Sequence, residues 1–285
     1  MGDEAPVADC PRATAGDALW LPRVMLRGMS WLTDEQLRQF ADEGYVVVRN
    51  VVSETLLAAA DAEIDRLIAE TPLAEGGGGP GQMTWFPLRE RLPRCDDVLR
   101  RSPALAVARE LVSPNTIDHA DLDGSRYNHT QIAITVPPWS HIPGGPHIDG
   151  WEPGASFTML AGVLLTDQRG TQSGNLWVWP GSHLDHARLF RERGTTILER
   201  SGVNGHATLL DPPLALRPGI PIRGDRGDLV LAHFLTGHNK GGNTASHVRR
   251  TIYYRLNVPG HVQRSQQTLT DPWLEYPRMR VVLGQ

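Results

Sequence analysis

The feature that most constrains the fold is a change in the character of the sequence near residue 116. From there to about residue 258, short apolar runs rich in β-forming residues alternate with glycine and proline. Closely spaced strands with no helical period between them are typical of a barrel or a double-sheet jelly roll. The sequence therefore predicts a mainly β fold with flanking helices. The candidate strands are Gln131–Val136, Phe157–Leu165, Leu176–Trp179, Leu229–Ala232 and Val248–Val258.

The region before residue 116 carries helical signals. Thr33 and Gln36 have the spacing of a capping box, and Gly44 suits the end of the helix that they begin. The apolar run at residues 45–52 predicts a buried strand, and Ser53 is placed to cap a second helix after it. We expect these helices to brace one face of the sheet.

No linker or repeat divides the chain, so we expect one domain over residues 30–285. Residues 1–29 carry scattered prolines without a sustained period, which predicts a tail or a strap over the surface. The glycine-rich segment Gly76–Gly81 lacks the Lys-Ser/Thr ending of a phosphate-binding loop. We interpret it as a lid beside the active site, as long loops often are.

Composition limits the possible partners. The 285 residues are 40% hydrophobic and 21% charged, which is typical of a folded globular protein. The formal charge is −4 and no basic run stands out, so we expect neither a nucleic-acid nor a membrane partner. Without a signal-like N-terminus or a stretch of about 20 apolar residues, a cytoplasmic monomer or homodimer is expected. Cys10 and Cys95 are too few for a disulfide framework or a zinc site.

The segment Gly144–Gly150 contains the most informative pair of residues, His147 and Asp149. In extended backbone, residues two apart point to the same side, so this imidazole and this carboxylate share a face. Together they form two thirds of the facial triad that binds iron(II) in non-haem oxygenases and leaves positions open. A lone His-x-Asp also recurs by chance in surface turns, so a third ligand is needed.

His238 supplies the third ligand in this interpretation, because it lies just past the strand predicted at Leu229–Ala232. His233 is its rival, but it falls inside the apolar run and is expected to be a core residue. Arg249 could hold the far carboxylate of a dicarboxylic co-substrate, since guanidinium pairs with carboxylate through two parallel hydrogen bonds. Arg250 stays an alternative, because neighbouring residues on a strand face opposite ways.

Four motifs in this order resemble the phytanoyl-CoA dioxygenase family, and the resemblance covers about residues 33–258. It implies a double-stranded β-helix core of the jelly-roll or cupin-like type, with Fe(2+), 2-oxoglutarate and O2 as cofactor and co-substrates. By position it implies His147, Asp149 and His238 as metal ligands and Arg249 as the 2-oxoglutarate anchor. The motifs are His147–Asp149, Leu176–His183, Gly227–Val230, and His238 followed by Asn243 and Arg249.

The chain departs from the family pattern two residues after the distal histidine. The family often has a small hydroxyl residue there that helps to bind 2-oxoglutarate, whereas this chain has Lys240. Thr158 or Thr251 is a candidate substitute, or Lys240 acts itself. Gln131 could reach 2-oxoglutarate from the strand before the metal motif. Trp151 follows Asp149 closely and is expected to line the substrate pocket.

The sequence thus predicts a 2-oxoglutarate-dependent dioxygenase that hydroxylates or otherwise oxidises a small organic substrate. No basic cluster suits the phosphates of coenzyme A, which favours a specialised metabolite. Related halogenases replace the metal carboxylate with a small residue, so Asp149 favours hydroxylation. A non-catalytic jelly-roll module that senses metal or 2-oxoglutarate is the main alternative, and the intact triad with Arg249 argues against it. A zinc hydrolase is also conceivable, but no general base is convincingly spaced.

Overall fold

The computed structural model of the protein describes residues 30–70, 83–87, 92–118, 130–151 and 155–285. The predicted tail at residues 1–29 and the predicted lid at Gly76–Gly81 lie outside these described residues. The described helices are α1 Asp34–Glu43, α2 Glu54–Glu70, α3 Pro93–Arg100, α4 Ala104–Val112, α5 Ser182–Arg193, α6 Ile197–Arg200, α7 His261–Thr270 and α8 Pro277–Val282. The described strands are β1 Tyr45–Val48, β2 Met83–Pro87, β3 Gln131–Thr135, β4 Met159–Leu164, β5 Leu176–Val178, β6 Ile220–Pro221, β7 Leu229–His233, β8 His238–Lys240 and β9 Arg249–Leu256.

Helix α1 forms as its sequence predicts. The Thr33 hydroxyl accepts a hydrogen bond from the Gln36 backbone N–H, and the Gln36 side chain accepts one from the Thr33 N–H, so the capping box is complete. Gly44 ends the helix with φ of 81°, a left-handed conformation that a residue with a Cβ adopts only at a cost. The chain then enters strand β1 directly, which fixes the helix against the sheet.

Two antiparallel sheets form the β structure. The larger has the order β1-β7-β4-β9-β3-β2, and the smaller has the order β6-β5-β8. Most neighbouring strands are non-consecutive in the chain, as a jelly roll requires, and the exceptions are β2 beside β3 and β5 beside β6. In the larger sheet, Gln131 of β3 lies opposite Tyr253 of β9, and Thr135 lies opposite Arg249. This register puts polar side chains of β3 and β9 on one face.

The side chains of the larger sheet divide between two apolar clusters. On β4, Ala161 and Val163 pack into the cluster under helices α1 to α4, whereas Leu160 and Leu164 pack into the cluster between the sheets. The period-2 alternation of a strand explains the division, since all six residues of β4 are buried. The expected helical brace is therefore confirmed on one face, and the inner face is left for a site.

The predicted strands all form, most of them with shorter ends, whereas the strand predicted at Leu229–Ala232 extends one residue further to His233. The run at residues 45–52 pairs only as far as Val48, because Asn50 turns the chain with φ of 52°. Periodicity missed helix α3 and the two C-terminal helices. Helix α5 was not predicted either, and His183 and His186 are buried within it. None of the described helices has the length and apolar character that a membrane span requires.

Candidate metal centre

The backbone brings the two predicted histidine ligands face to face. His147 and His238 form an antiparallel β-bridge, in which each backbone N–H donates to the other residue's carbonyl at 3.0 and 2.9 Å. Side chains directly opposite each other in such a pair project on the same side. Asp149 is two residues beyond His147, so its carboxylate returns to that side as well.

One ligand atom from each of His147, Asp149 and His238 lies within 4.8 Å of the other two. The Asp149 Oδ1 atom is 3.6 Å from Nε2 of His147 and 3.8 Å from Nε2 of His238. Two imidazole nitrogens and one carboxylate oxygen converging from one side are the donor set of a non-haem iron(II) centre. The residues present therefore fit the metal that the sequence pattern implies.

The tautomer of His238 suits a metal ligand. Its Nδ1 atom is 3.0 Å from the Thr236 carbonyl oxygen, which can only accept, so the ring donates there and Nε2 is the nitrogen left to bind a metal ion. Burial and the neighbouring His238 lower the pKa of His147 to about 3, so that ring is neutral at physiological pH. The His147 ring is thus in the form that binds a metal ion.

Asp149 carries the negative charge of the site. Burial opposes ionisation of its carboxyl group, but the adjacent Arg255 guanidinium and the two histidine rings hold its pKa below the ordinary range. Arg255 Nη2 donates to Asp149 Oδ2 at 2.6 Å. The carboxylate is therefore ionised and anchored by one oxygen, while the other oxygen faces the two histidines.

A cavity of about 290 Å³ opens beside the three residues. Its volume is at the lower end of the range for small-molecule sites. The predicted residues Gln131 and Arg249 line it, together with the metal triad. The other described lining residues are Leu160, Gly174, Asn175, Leu176, Asn239, Lys240, Tyr253 and Arg255.

Arg249 and Arg250 point to opposite sides of strand β9. Arg249 is 2% exposed and donates to the Tyr253 hydroxyl at 2.7 Å and to two neutral acceptors at 3.3 and 3.4 Å, the Ala133 carbonyl and the Gln168 side chain. Arg250 instead pairs with Asp61 and Asp65 of helix α2. Among the described residues no carboxylate pairs with Arg249, so its buried charge faces the cavity without an anion.

Gly174 lets the chain pass close to the Arg249 side chain. A Cβ atom at this position would lie 2.7 Å from the Cβ and Cγ atoms of Arg249, closer than packed atoms come, and the residue has φ of 75°. Both observations restrict the position to glycine. The neighbouring backbone thereby packs closely on the aliphatic part of the Arg249 side chain at the cavity wall.

Two other predicted residues lie elsewhere. Thr158 is buried outside the set that lines the cavity, and its hydroxyl donates to the Glu275 carboxylate at 2.6 Å. That buried acceptor explains why the hydroxyl is not available to a co-substrate. The Trp151 ring packs against Gly205 and the inner apolar cluster, and it too is outside the lining set. Lys240 does line the cavity, with its ammonium 5.8 Å from the centre of the Trp139 ring.

The rival histidine His233 is a core residue. Its Nε2 donates to the Pro272 carbonyl at 2.7 Å, and its Nδ1 accepts from the Leu235 N–H at 3.1 Å. Both ring nitrogens are thus used by the backbone. Burial lowers the pKa of His233 to about 4, so it is neutral within the apolar packing.

Sequence reasoning missed Arg255 and Tyr253, which both line the cavity. The signal was present, because Arg249, Tyr253 and Arg255 are separated by even numbers of residues on one strand and so share a face. The pairing of Arg255 with Asp149 spans 106 residues of sequence, and nothing local to either residue indicates it.

Comparison with solved structures supports the jelly-roll assignment. Over 79% of this chain and 83% of the other, the fold matches the epimerase SnoN in complex with Fe3+, alpha ketoglutarate and nogalamycin RO, with a TM-score of 0.56 and 20% identity. The non-heme alpha ketoglutarate dependent carbocyclase SnoK from nogalamycin biosynthesis matches with a TM-score of 0.54 and 22% identity, over 82% and 90% of the two chains. HygX from Streptomyces hygroscopicus, solved with nickel and 2-oxoglutarate bound, matches with a TM-score of 0.51 and 18% identity, over 80% of this chain and 88% of the other.

No curated protein sequence matches the chain. The family model for phytanoyl-CoA dioxygenase matches residues 40–251, which is most of the chain and includes all three triad residues and Arg249. The match confirms the family that the motif order resembles. The chain therefore belongs to the phytanoyl-CoA dioxygenase family, and it is a non-haem iron enzyme that depends on 2-oxoglutarate.

Proposed function

We propose that this enzyme oxidises a C–H bond of a small organic substrate at an iron ion held by His147, Asp149 and His238. One observation carries the proposal: three converging ligand atoms line the same cavity as the buried Arg249 guanidinium, which has no carboxylate partner among the described residues. A metal site alone would also suit a hydrolase or a sensor. The additional buried cation requires an anionic molecule beside the metal, as a dicarboxylic co-substrate provides.

Arg249 is the proposed anchor for the distal carboxylate of 2-oxoglutarate. Its guanidinium is already oriented by the Tyr253 hydroxyl, so little conformational freedom is lost when the co-substrate binds. Gln131 lies opposite Tyr253 in the sheet and lines the same wall, where its amide is placed to hydrogen-bond the co-substrate. Thr158 has no part in this proposal, because its hydroxyl is held by Glu275.

Iron with 2-oxoglutarate and dioxygen supplies the oxidising power for the C–H bond, with succinate and carbon dioxide as the other products. The protein's own residues bind and orient, and none needs to act as acid or base. The rings of His147 and His238 would each bind the metal through a nitrogen atom, and the Asp149 carboxylate would balance part of the metal charge. The buried walls of Leu160 and Leu176 limit water around the reacting groups.

The proposed substrate is a specialised metabolite rather than an acyl-coenzyme A. Structures with the same fold include enzymes of nogalamycin biosynthesis, and a low-identity match of this kind supports the proposal without identifying a substrate. Asp149 supplies the carboxylate ligand, which favours hydroxylation or another oxidation over halogenation. A monomer or homodimer in the cytoplasm, without a nucleic-acid or membrane partner, stays a prediction from the sequence.

The test is an aerobic assay of succinate formation from 2-oxoglutarate by protein reconstituted with iron(II). We expect slow turnover without a substrate, acceleration by the correct small molecule, and loss of turnover with a chelator. A non-catalytic sensor would bind iron and 2-oxoglutarate without producing succinate. That result would overturn the assignment of a catalytic role.

A further inference from the structure

The arginine that pairs with the proposed metal carboxylate has a role that family membership does not specify. We propose that Arg255 is a positioning residue that holds one oxygen of Asp149, so that this carboxylate binds iron through a single oxygen. The proposal rests on the proposed function, because it concerns how the same three ligands hold the metal. The way in which Asp149 binds the metal determines how many coordination positions are left for 2-oxoglutarate and dioxygen.

The contact between Arg255 and Asp149 is close and sheltered. Arg255 Nη2 donates to Asp149 Oδ2 at 2.6 Å, and the two side chains are 6% and 17% exposed. The guanidinium carbon lies 5.3 Å from the centre of the Phe157 ring, which adds a second constraint on the arginine. A charged hydrogen bond of this length in low dielectric is among the strong ones. Rotation of the carboxylate about its own axis is thereby restrained.

The two oxygens of Asp149 consequently differ in what they can do. Oδ2 is bound by Arg255, whereas Oδ1 faces both imidazole nitrogens at 3.6 and 3.8 Å. A carboxylate that binds through both oxygens uses two positions on a metal, and one that binds through a single oxygen uses one. A facial triad leaves three positions open only in the second case. Two of these would serve a chelating co-substrate, and the third would remain for dioxygen.

A different role for Arg255 would be to anchor 2-oxoglutarate, since it also lines the cavity. Its charge, however, is matched by Asp149, whereas the charge of Arg249 has no carboxylate partner among the described residues. Bringing a co-substrate carboxylate to Arg255 would place two anions on one guanidinium. The two arginines on this face of β9 therefore have different proposed roles: Arg255 positions Asp149, and Arg249 binds the co-substrate.

The experiment compares Arg255→Met and Arg255→Lys with the wild-type enzyme, using nitric oxide as a probe of the open position. Each protein is loaded anaerobically with iron(II) and 2-oxoglutarate and titrated with nitric oxide, and the paramagnetic resonance signal per bound iron is measured. Arg255→Met is expected to weaken iron binding by roughly 10–100-fold, as for a change outside the ligand set, so iron is supplied at a concentration that saturates every variant. Its affinity for nitric oxide should fall at least about tenfold, and Arg255→Lys should recover part of it.

Arg250→Met is the matched control, because it removes the same charge from the opposite face of the same strand. It should leave the nitric oxide titration unchanged. If Arg255 only stabilises the fold, Arg255→Met lowers the melting temperature but binds nitric oxide like wild type, and the proposal is overturned. If the wild-type enzyme itself takes up neither iron nor 2-oxoglutarate, the proposed function fails instead.

Discussion

Asp149 and Glu275 are two sheltered carboxylates, each beside a histidine and an arginine, and they are used in different ways. Around Glu275, Oε2 accepts from the Thr158 hydroxyl at 2.6 Å and from His261 at 2.8 Å, while Oε1 accepts from Arg264 at 2.8 Å. The Glu275 side chain is 2% exposed, so protein groups supply all the partners that it has room for.

The Asp149 cluster has the same chemical ingredients with one oxygen left over. Arg255 binds Oδ2, but Oδ1 faces the Nε2 atoms of His147 and His238, which line the same cavity. Groups that can only accept a hydrogen bond or coordinate a cation do not satisfy each other. We call the Glu275 cluster closed, because protein groups satisfy both of its oxygens, and it stabilises the fold. We call the Asp149 cluster open, because its remaining acceptor atoms need a metal ion as their partner.

The largest expected effect comes from removing an imidazole of the open cluster. His147→Ala or His238→Ala should weaken iron binding by more than about a hundredfold, since even partners outside the ligand set contribute roughly 10–100-fold. Equilibrium dialysis with iron(II) measures the change. The control is His141→Ala, which removes a ring that stacks on Trp139 outside the lining set. Tight iron binding by either ligand variant would show that the Asp149 cluster is not the metal site.

Arg249→Ala tests the second feature of the open site, a buried cation that meets only neutral acceptors in the part of the chain that the structure describes. Losing one partner of a buried charged pair costs roughly 3–5 kcal/mol, and each 1.4 kcal/mol is about a tenfold change. The dissociation constant for 2-oxoglutarate should therefore rise by about a hundredfold or more, measured by calorimetry on the iron-loaded protein. Arg249→Lys should recover only part, because ammonium cannot bind both carboxylate oxygens in parallel.

Arg250→Ala is the comparison for that measurement. Arg250 faces helix α2 and forms ion pairs with Asp61 and Asp65, so its loss should leave 2-oxoglutarate binding unchanged. If Arg250→Ala weakens binding and Arg249→Ala does not, the assignment of the two faces of β9 is reversed. If neither variant affects binding, the co-substrate assignment fails.

Glu275→Gln should have the reverse profile, because its cluster is closed. The substitution leaves the Arg264 charge without its partner and weakens the bond to His261, which should lower the free energy of unfolding by roughly 2–3 kcal/mol. Iron affinity of the folded protein should stay within a few-fold of wild type. Chemical denaturation and iron titration give the two quantities, with Glu199→Gln as the exposed control. A large loss of iron affinity at unchanged stability would contradict the assignment of Glu275 to the fold and of Asp149 to the metal.

The smallest effect is the pH dependence of that stability. Burial alone would raise the pKa of Glu275, but hydrogen bonds from His261, Thr158 and Arg264 hold it below its ordinary value of 4.5. A lowered carboxyl pKa gives stability that is present above 4.5 and is lost as pH falls toward the folded pKa. The difference in unfolding free energy between wild type and Glu275→Gln should therefore narrow in acid. A difference that is constant from pH 7 to pH 3 would show that Glu275 titrates alike in both states.

Local signals in the sequence predicted much of the fold. The capping box at Thr33, the left-handed stop at Gly44 and the alternation of β4 are interactions between near neighbours, so they can be recognised without a structure. The C-terminal helices were missed because their stability comes from packing. Tyr276, for example, is buried against Phe40 of α1, and its hydroxyl donates to the Thr158 carbonyl.

The sequence by itself determined the chemical inventory of the site: a His-x-Asp pair, a distant histidine and a following arginine in the order of one family. Only the tertiary structure decided the allocation of partners. It placed Arg249 in the cavity and Arg250 outside. It also paired the Thr158 hydroxyl with the Glu275 carboxylate and the Arg255 guanidinium with the Asp149 carboxylate. The physical reason is that residue types and spacing specify which groups a strand presents, whereas sheet register and packing specify which distant group each one meets.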